Sequence, residues 1–362
     1  MNSVSCLRNL GRFDEALRAG EAAVSVFRAL ANPGPGRGRG GHSVSPQVFR
    51  LELATALNNV ALSLHDVGQH EQARTPAEEA VTIYRELAAA RPDASRGDLA
   101  LSLNNLASYL RELGQYDEAQ ALAEEALGIH QELAAARPDA FRVDLARSLH
   151  NFANHLSDVG QHEQAQTLAE EALTILRELA AARPDAFRGD LAMSLNGFAN
   201  HLSNVGQYEQ AQTFAEEALT ILRELAATRP DAFRVEVATT LGNIAYLMAE
   251  RGEFAAALPP AVEGLALLER EARRRAPAVR EYLMFLHCAA ARCHEGLGDM
   301  VTAREAATNG LDALEDFLAK PRRLSRSLAK AARHLLLIAG AVQADAHERV
   351  HASLRVSDQA KS

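Results

Sequence analysis

The sequence predicts an all-α solenoid of about seven antiparallel helix hairpins, and three observations carry that expectation. The segment Arg-Pro-Asp-Ala begins at Arg91, Arg137, Arg183 and Arg229, a spacing of 46 residues. A glycine returns on the same period at Gly68, Gly114, Gly160, Gly206, Gly252 and Gly298, and Gly11 precedes Gly68 by 57, one period plus an insertion of 11 residues. Residues 137–182 and 183–228 are identical at 38 of 46 positions, and no stretch alternates apolar and polar residues as a strand would. A period of this kind marks units that cannot bury their apolar faces alone and must stack on their neighbours.

Each unit reads as two helices. In residues 137–182, Leu145, Leu149, Phe152, Ala153 and Leu156 recur at steps of three and four, which places them on one helical face. Gly160 ends that helix, because the close of a helix favours a left-handed residue. The second helix is predicted from about Glu163 to Ala181, with Ala165, Leu168, Ala169, Ala172, Leu173, Ile175 and Leu179 on its apolar side. Arg183-Pro184 stops it, since proline lacks an amide hydrogen and disfavours helix in the residue before it. Pro76 and Pro259-Pro260 fall inside second helices, where kinks are expected.

Small residues mark where the helices approach most closely. Ala61, Ala107, Ala153, Ala199, Ala245 and Ala291 each lie seven residues before a turn glycine. Ala16, Ala73, Ala119, Ala165, Ala211, Ala257 and Ala303 lie five after one, and Ala23, Ala80, Ala126, Ala172, Ala218, Gly264 and Gly310 lie twelve after. A larger side chain there is expected to overpack the hairpin.

The run from Asn104 to Leu127 resembles the tetratricopeptide repeat through Leu106, Ala107, Gly114, Tyr116, Ala119 and Ala126. The aromatic residue two after the glycine recurs as Phe13, Tyr116, Tyr208 and Phe254, with His70, His162 and Met300 in its place elsewhere. The unit is longer than that family's 34-residue standard, and Leu stands where an early Trp is usual. In this it is similar to the long-helix units of kinesin light chain and of actinobacterial repeat proteins. The resemblance implies a right-handed superhelix and partner recognition as the activity. It also implies that the first helix of each hairpin lines a concave groove. Carried onto this sequence, the groove positions are Asn58, Leu62 and His65; Asn104, Ser108 and Arg111; His150, Asn154 and Ser157; Asn196, Asn200 and Ser203; and Tyr246. Asparagine both donates and accepts, so a ladder of it can pair with the backbone of an extended peptide. The bland alternative is that these polar residues are solvated or bond from helix to helix. Lys is absent from these positions and Arg sparse, which speaks against a clamp for a C-terminal carboxylate.

The expected organisation is a solenoid over residues 1–320, with a truncated first repeat and a flexible Gly/Pro/Arg insertion at 32–43. Degenerate capping helices are expected over 321–354, and a disordered tail over 355–362. Met1 enters its unit about halfway along a first helix, so the chain reads as starting upstream or as part of a longer protein. Net charge is −9 with acidic residues spread along the chain, which argues against a general nucleic-acid or anionic-membrane binder. Only Lys320, Lys330 and Lys361 stand among 38 basic residues, a bias that points to a GC-rich bacterial genome. Cys6, Cys288 and Cys293 are too few for a disulfide framework, no run is long and apolar enough to span a membrane, and no signal peptide is visible. A cytoplasmic location follows as the expectation.

Four motifs invite a sharper chemistry. Gly36, Gly38 and Gly41 fit the spacing of a dinucleotide loop, but no strand precedes them, and a plain linker is the better account even beside an RNA-touching Arg-Gly loop. His347-Glu348-Arg349-Val350-His351 spells H-E-x-x-H, which on a helix would set two imidazoles on one face, yet nothing upstream nominates a third zinc ligand. His287-Cys288 and Cys293-His294 suggest a metal cluster, but five residues turn a helix by roughly 140° and splay the thiols apart. Glu124-Glu125, Glu170-Glu171 and Glu216-Glu217 read as solvated charge on second helices. No cofactor and no catalytic residues are assigned. The sequence thus points to a non-enzymatic scaffold for a peptide or protein segment, or alternatively to the regulatory arm of a larger bacterial switch protein whose effector domain lies outside this chain.

Overall fold

A computed structural model describes residues 3–9, 12–31, 46–318, 324, 326–340 and 347–359. The insertion expected at 32–43, its Gly36–Gly41 motif and residues 360–362 lie outside them. Every element among the described residues is a helix: α1 (Ser3–Asn9), α2 (Phe13–Ala31), α3 (Pro46–Asp66), α4 (His70–Ala90), α5 (Pro92–Glu112), α6 (Tyr116–Ala136), α7 (Pro138–Asp158), α8 (His162–Ala182), α9 (Pro184–Asn204), α10 (Tyr208–Thr228), α11 (Pro230–Glu250), α12 (Phe254–Gly296), α13 (Met300–Phe317), α14 (Arg326–Ala339) and α15 (Glu348–Gln359). Consecutive helices pack on one another, so the fold is an all-α repeat solenoid. The chain forms two compact units, Met1–Leu113 with Asp117–Ser148, and Gly114–Tyr116 with Leu149–Ser362.

Two backbone devices set the hairpin period. At the turn inside a hairpin, Gly160 takes φ 88° and Gly206 φ 81°. Gln161 N–H then reaches back to Leu156 O at 2.8 Å, and Gln207 N–H to Leu202 O at 2.9 Å, closing carbonyls that the helix end leaves open. Between hairpins the connection is a single arginine. Arg183 (φ −141°, ψ 78°) and Arg229 (φ −136°, ψ 66°) are extended, as a residue before proline prefers, and Pro184 and Pro230 open the next helix where no amide hydrogen is needed. The same arginines lie over the first aromatic ring of the helix they introduce, Arg183 at 4.7 Å from Phe187 and Arg229 at 5.0 Å from Phe233. Pro76 leaves α4 unbroken over its 21 residues.

At the next junction the proline stands one place later, at Pro277. The period places Arg275-Ala276 at that junction, and α12 is helical over 43 residues. A straight helix would hold Phe254 and Gly296 roughly 60 Å apart. Instead a Cβ on Gly296 would lie 2.2 Å from the Phe254 ring, and Ala257 and Cys293 share one core cluster with Ala249. The chain therefore doubles back between Leu268 and Val279, and α12 supplies the second helix of one hairpin and the first of the next.

The core is the alanine and leucine seam. Ala61, Ala107, Ala153, Ala199, Ala245 and Ala291 are fully buried, as are Ala73, Ala119, Ala165, Ala211, Ala257 and Ala303. Leu103, Leu149, Leu195 and Leu241 are buried at the equivalent position of four successive repeats. Helix α14 packs on α13 and α12, and α15 packs chiefly on α13. Helix α15 runs past Leu354 to Gln359, because Ser357 is buried and its Oγ accepts the Leu324 N–H at 2.7 Å. Its N-terminus is capped from α13, where the Glu315 carboxylate accepts the N–H groups of Arg349 and Val350 at 3.2 and 3.1 Å.

Candidate functional site

In the first unit, the first-helix face of α3 and α5 is tied together by side-chain amides. Asn105 Nδ2 donates to Asn58 Oδ1 at 3.1 Å, and both residues are half-buried. Ser108 Oγ donates to the Asn104 carbonyl at 3.0 Å, and Arg111 pairs with Glu112. His65 Nδ1 lies 3.0 Å from His70 Nδ1 and its ring packs 5.0 Å from Tyr109. Burial lowers the His65 pKa, with the charges of Glu112 and Asp66 working against that shift.

Asn104 does not belong to an open face. It is buried at 5% exposure, and its Nδ2 donates to Ser148 Oγ at 2.6 Å, which in turn lies 2.6 Å from His130 Nδ1. The small serine at 148 leaves room for a polar triad inside the hairpin stack, and Asn104 is drawn inward to complete it.

In the second unit the same face carries Asn154, Asn196 and Asn200, with His150 beside them. Asn243 Nδ2 donates to Asn196 Oδ1 at 2.9 Å, repeating the Asn105–Asn58 bond. Asn154 Nδ2 is 3.2 Å from His150 Nε2. His150 packs against α9, where a Cβ on Gly197 would stand 2.2 Å from its ring; only glycine permits that approach. Ser157 is buried and accepts from Asn204 Nδ2 at 2.8 Å, whereas Asn200 is exposed. The residues that complete these rungs, Asn105, Asn204 and Asn243, sit 47 rather than 46 positions from their partners, and that offset was the sequence signal for them.

Cations do reach this face at α11. Lys330 Nζ donates to Tyr246 Oη at 2.8 Å and meets Glu250 at 3.2 Å, while Arg292 bonds Glu250 and lies 5.4 Å from the Tyr246 ring. Burial alone would raise the Glu250 carboxyl. The bonds from Arg292 and Tyr246, with the charges of Arg292 and Lys330, bring it down to about 2 instead. Burial pushes the Tyr246 hydroxyl up to about 12, the Lys330 bond opposing. One carboxylate thus offsets one of the two cations, and the corner keeps a net positive charge.

The metal-like motifs are placed differently from a ligand set. His347 precedes α15 and is buried, its Nε2 2.9 Å from Asp312 Oδ1, while Glu348 is exposed. Cys288 and Cys293 fall into separate core clusters. Burial pushes their thiols up to about 12 and about 11 and lowers His287 to about 4. Among the described residues no three His, Cys, Asp or Glu side chains converge as metal ligands, and no helix is long and apolar enough to cross a membrane.

Sequence models described as tetratricopeptide repeat match residues 53–90, 98–178 and 144–224. Residues 53–90 and 98–224 are tetratricopeptide repeats. This tetratricopeptide-repeat array runs on 46-residue units. The crystal structure of BtubC (BKLC) from P. vanneervenii is similar over 71% of this chain and 96% of its own, with TM-score 0.50 and 21% identity. The apo form of RapI is similar over 81% and 96%, with TM-score 0.52 and 16% identity. A Rap protein complexed with Competence and Sporulation Factor is similar over 99% and 97%, with TM-score 0.50 and 16% identity. No curated protein matches the sequence significantly.

Proposed function

We propose that this protein is a non-catalytic scaffold that holds a peptide or protein segment along the polar face of its first helices. The observation that carries the reading is the asparagine rung. The Asn105–Asn58 and Asn243–Asn196 bonds each use one donor and one acceptor. Each amide pair then keeps a carbonyl oxygen and N–H groups for a ligand backbone. Rungs made of amides carry no net charge and read the main chain of an extended segment rather than its side chains. A separate molecule bound to a Rap protein is consistent with an array of this fold receiving a ligand.

Peptides selected from a display library on the intact protein supply the probe. Replacing Asn154, Asn196 and Asn200 together by Ala is expected to weaken their binding at least about tenfold. The circular dichroism and melting midpoint should stay close to those of the parent. Unchanged affinity in that triple variant places the binding surface elsewhere.

A further inference from the structure

The junction of α7, α8 and α9 in the second unit gathers histidines that the binding reading does not use. His201 is buried at 2% exposure on α9, and neither ring nitrogen has a hydrogen-bond partner among the described residues. The charges of His150 from α7 and of His162, the first residue of α8, both act against a proton on it. From α10, Phe214 packs edge-on against Phe198, 4.9 Å away and one turn before His201. His150 is held against Gly197, also one turn away, and His162 Nδ1 lies 3.5 Å from Ser157 Oγ. A buried base surrounded by other bases has no way to stabilise a proton. The column that carries His201 holds Ser63, Tyr109, His155, Leu247 and Cys293 in other repeats, so its packing also accepts an apolar residue.

We propose that this junction is a pH-responsive latch: the His201 imidazole, buried without a hydrogen-bond partner among the described residues, fills the space between the α7–α8 hairpin and α9, and its proton uptake in mild acid opens it. The latch rests on packing alone, and it stands whether or not the first-helix face binds a partner. Burial lowers His201 to about 3, and the charges of His150 and His162 act in the same sense. In an opened junction it returns to its ordinary 6.5. The open form therefore holds more protons between those values, and the closed form loses stability as the pH falls from 6.5 toward 3. From pH 7.5 to 5.5 this one site raises the opening equilibrium about tenfold.

Amide hydrogen exchange, normalised to the intrinsic chemical rate at each pH, reads that opening in the intact protein. Protection across α8 and α9 is expected to fall about tenfold from pH 7.5 to 5.5, and about twofold or less in His201→Leu. His201→Tyr is the second variant, should leucine loosen α9 at neutral pH. Protection in the parent that does not change with pH overturns the latch. A tenfold loss that persists in both variants overturns it as well.

Discussion

Asn105 reaches across to Asn58 at 3.1 Å, and three repeats further on Asn243 reaches Asn196 at 2.9 Å with the same pair of atoms. The rung thus recurs, but not in every repeat: between these two, Asn104 turns to Ser148 and Gly197 faces His150. Asn243→Ala removes one half-buried neutral bond and is expected to cost about 1 kcal/mol. Urea unfolding of the variant checks this, and a cost above about 3 kcal/mol would show that the rung holds the helices together rather than merely decorating them.

The seam tolerates no added volume. Ala153 is fully buried, and a Cβ on Gly264 would stand 2.6 Å from Leu286 and 3.0 Å from the Ala238 carbonyl oxygen. Ala153→Leu and Gly264→Ala are each expected to destabilise by about 1–3 kcal/mol. Thermal melts that match the parent would contradict the packing described.

Glu250 gives an acid-side signature. Its pKa of about 2 lies below the ordinary 4.5, so its contribution is complete above pH 4.5 and is lost as the pH falls toward 2. Glu250→Gln leaves Arg292, itself 17% exposed, without its carboxylate. The expected cost is about 2 kcal/mol at pH 7, with a flatter stability profile below pH 4.5. Denaturation at several pH values reads both.

The exposed ion pairs between second helices should matter little. Arg177 meets Glu217 and Arg223 meets Glu263, each at 2.8 Å, but roughly half of each arginine is in water. Arg177→Ala and Arg223→Ala are expected to shift stability by less than about 1 kcal/mol, and by less still in high salt.

The hairpin period, the glycine turns, the arginine-proline junctions and the alanine seam were all legible in the sequence, because each is a local rule repeated until chance is excluded. The doubling back inside α12 follows from the same period through Gly252 and Gly298, but the place of its junction was not legible, since the proline stands one position later, at Pro277. Nor was the inward turn of Asn104. A column 46 residues apart identifies equivalent positions, but whether a polar side chain meets solvent depends on its neighbour in the next helix, here Ser148. The meeting of Lys330 with Tyr246, 84 positions away, was hidden for the same reason.

The central claim is that partners lie along the first helices. Hydrogen exchange of the intact protein with and without a saturating library-selected peptide tests it directly. Slowed exchange in α7, α9 and α11, centred on Asn154, Asn196, Asn200 and Tyr246, is the predicted result; slowed exchange confined to α8, α10 and the Glu170–Glu216 surface would contradict it.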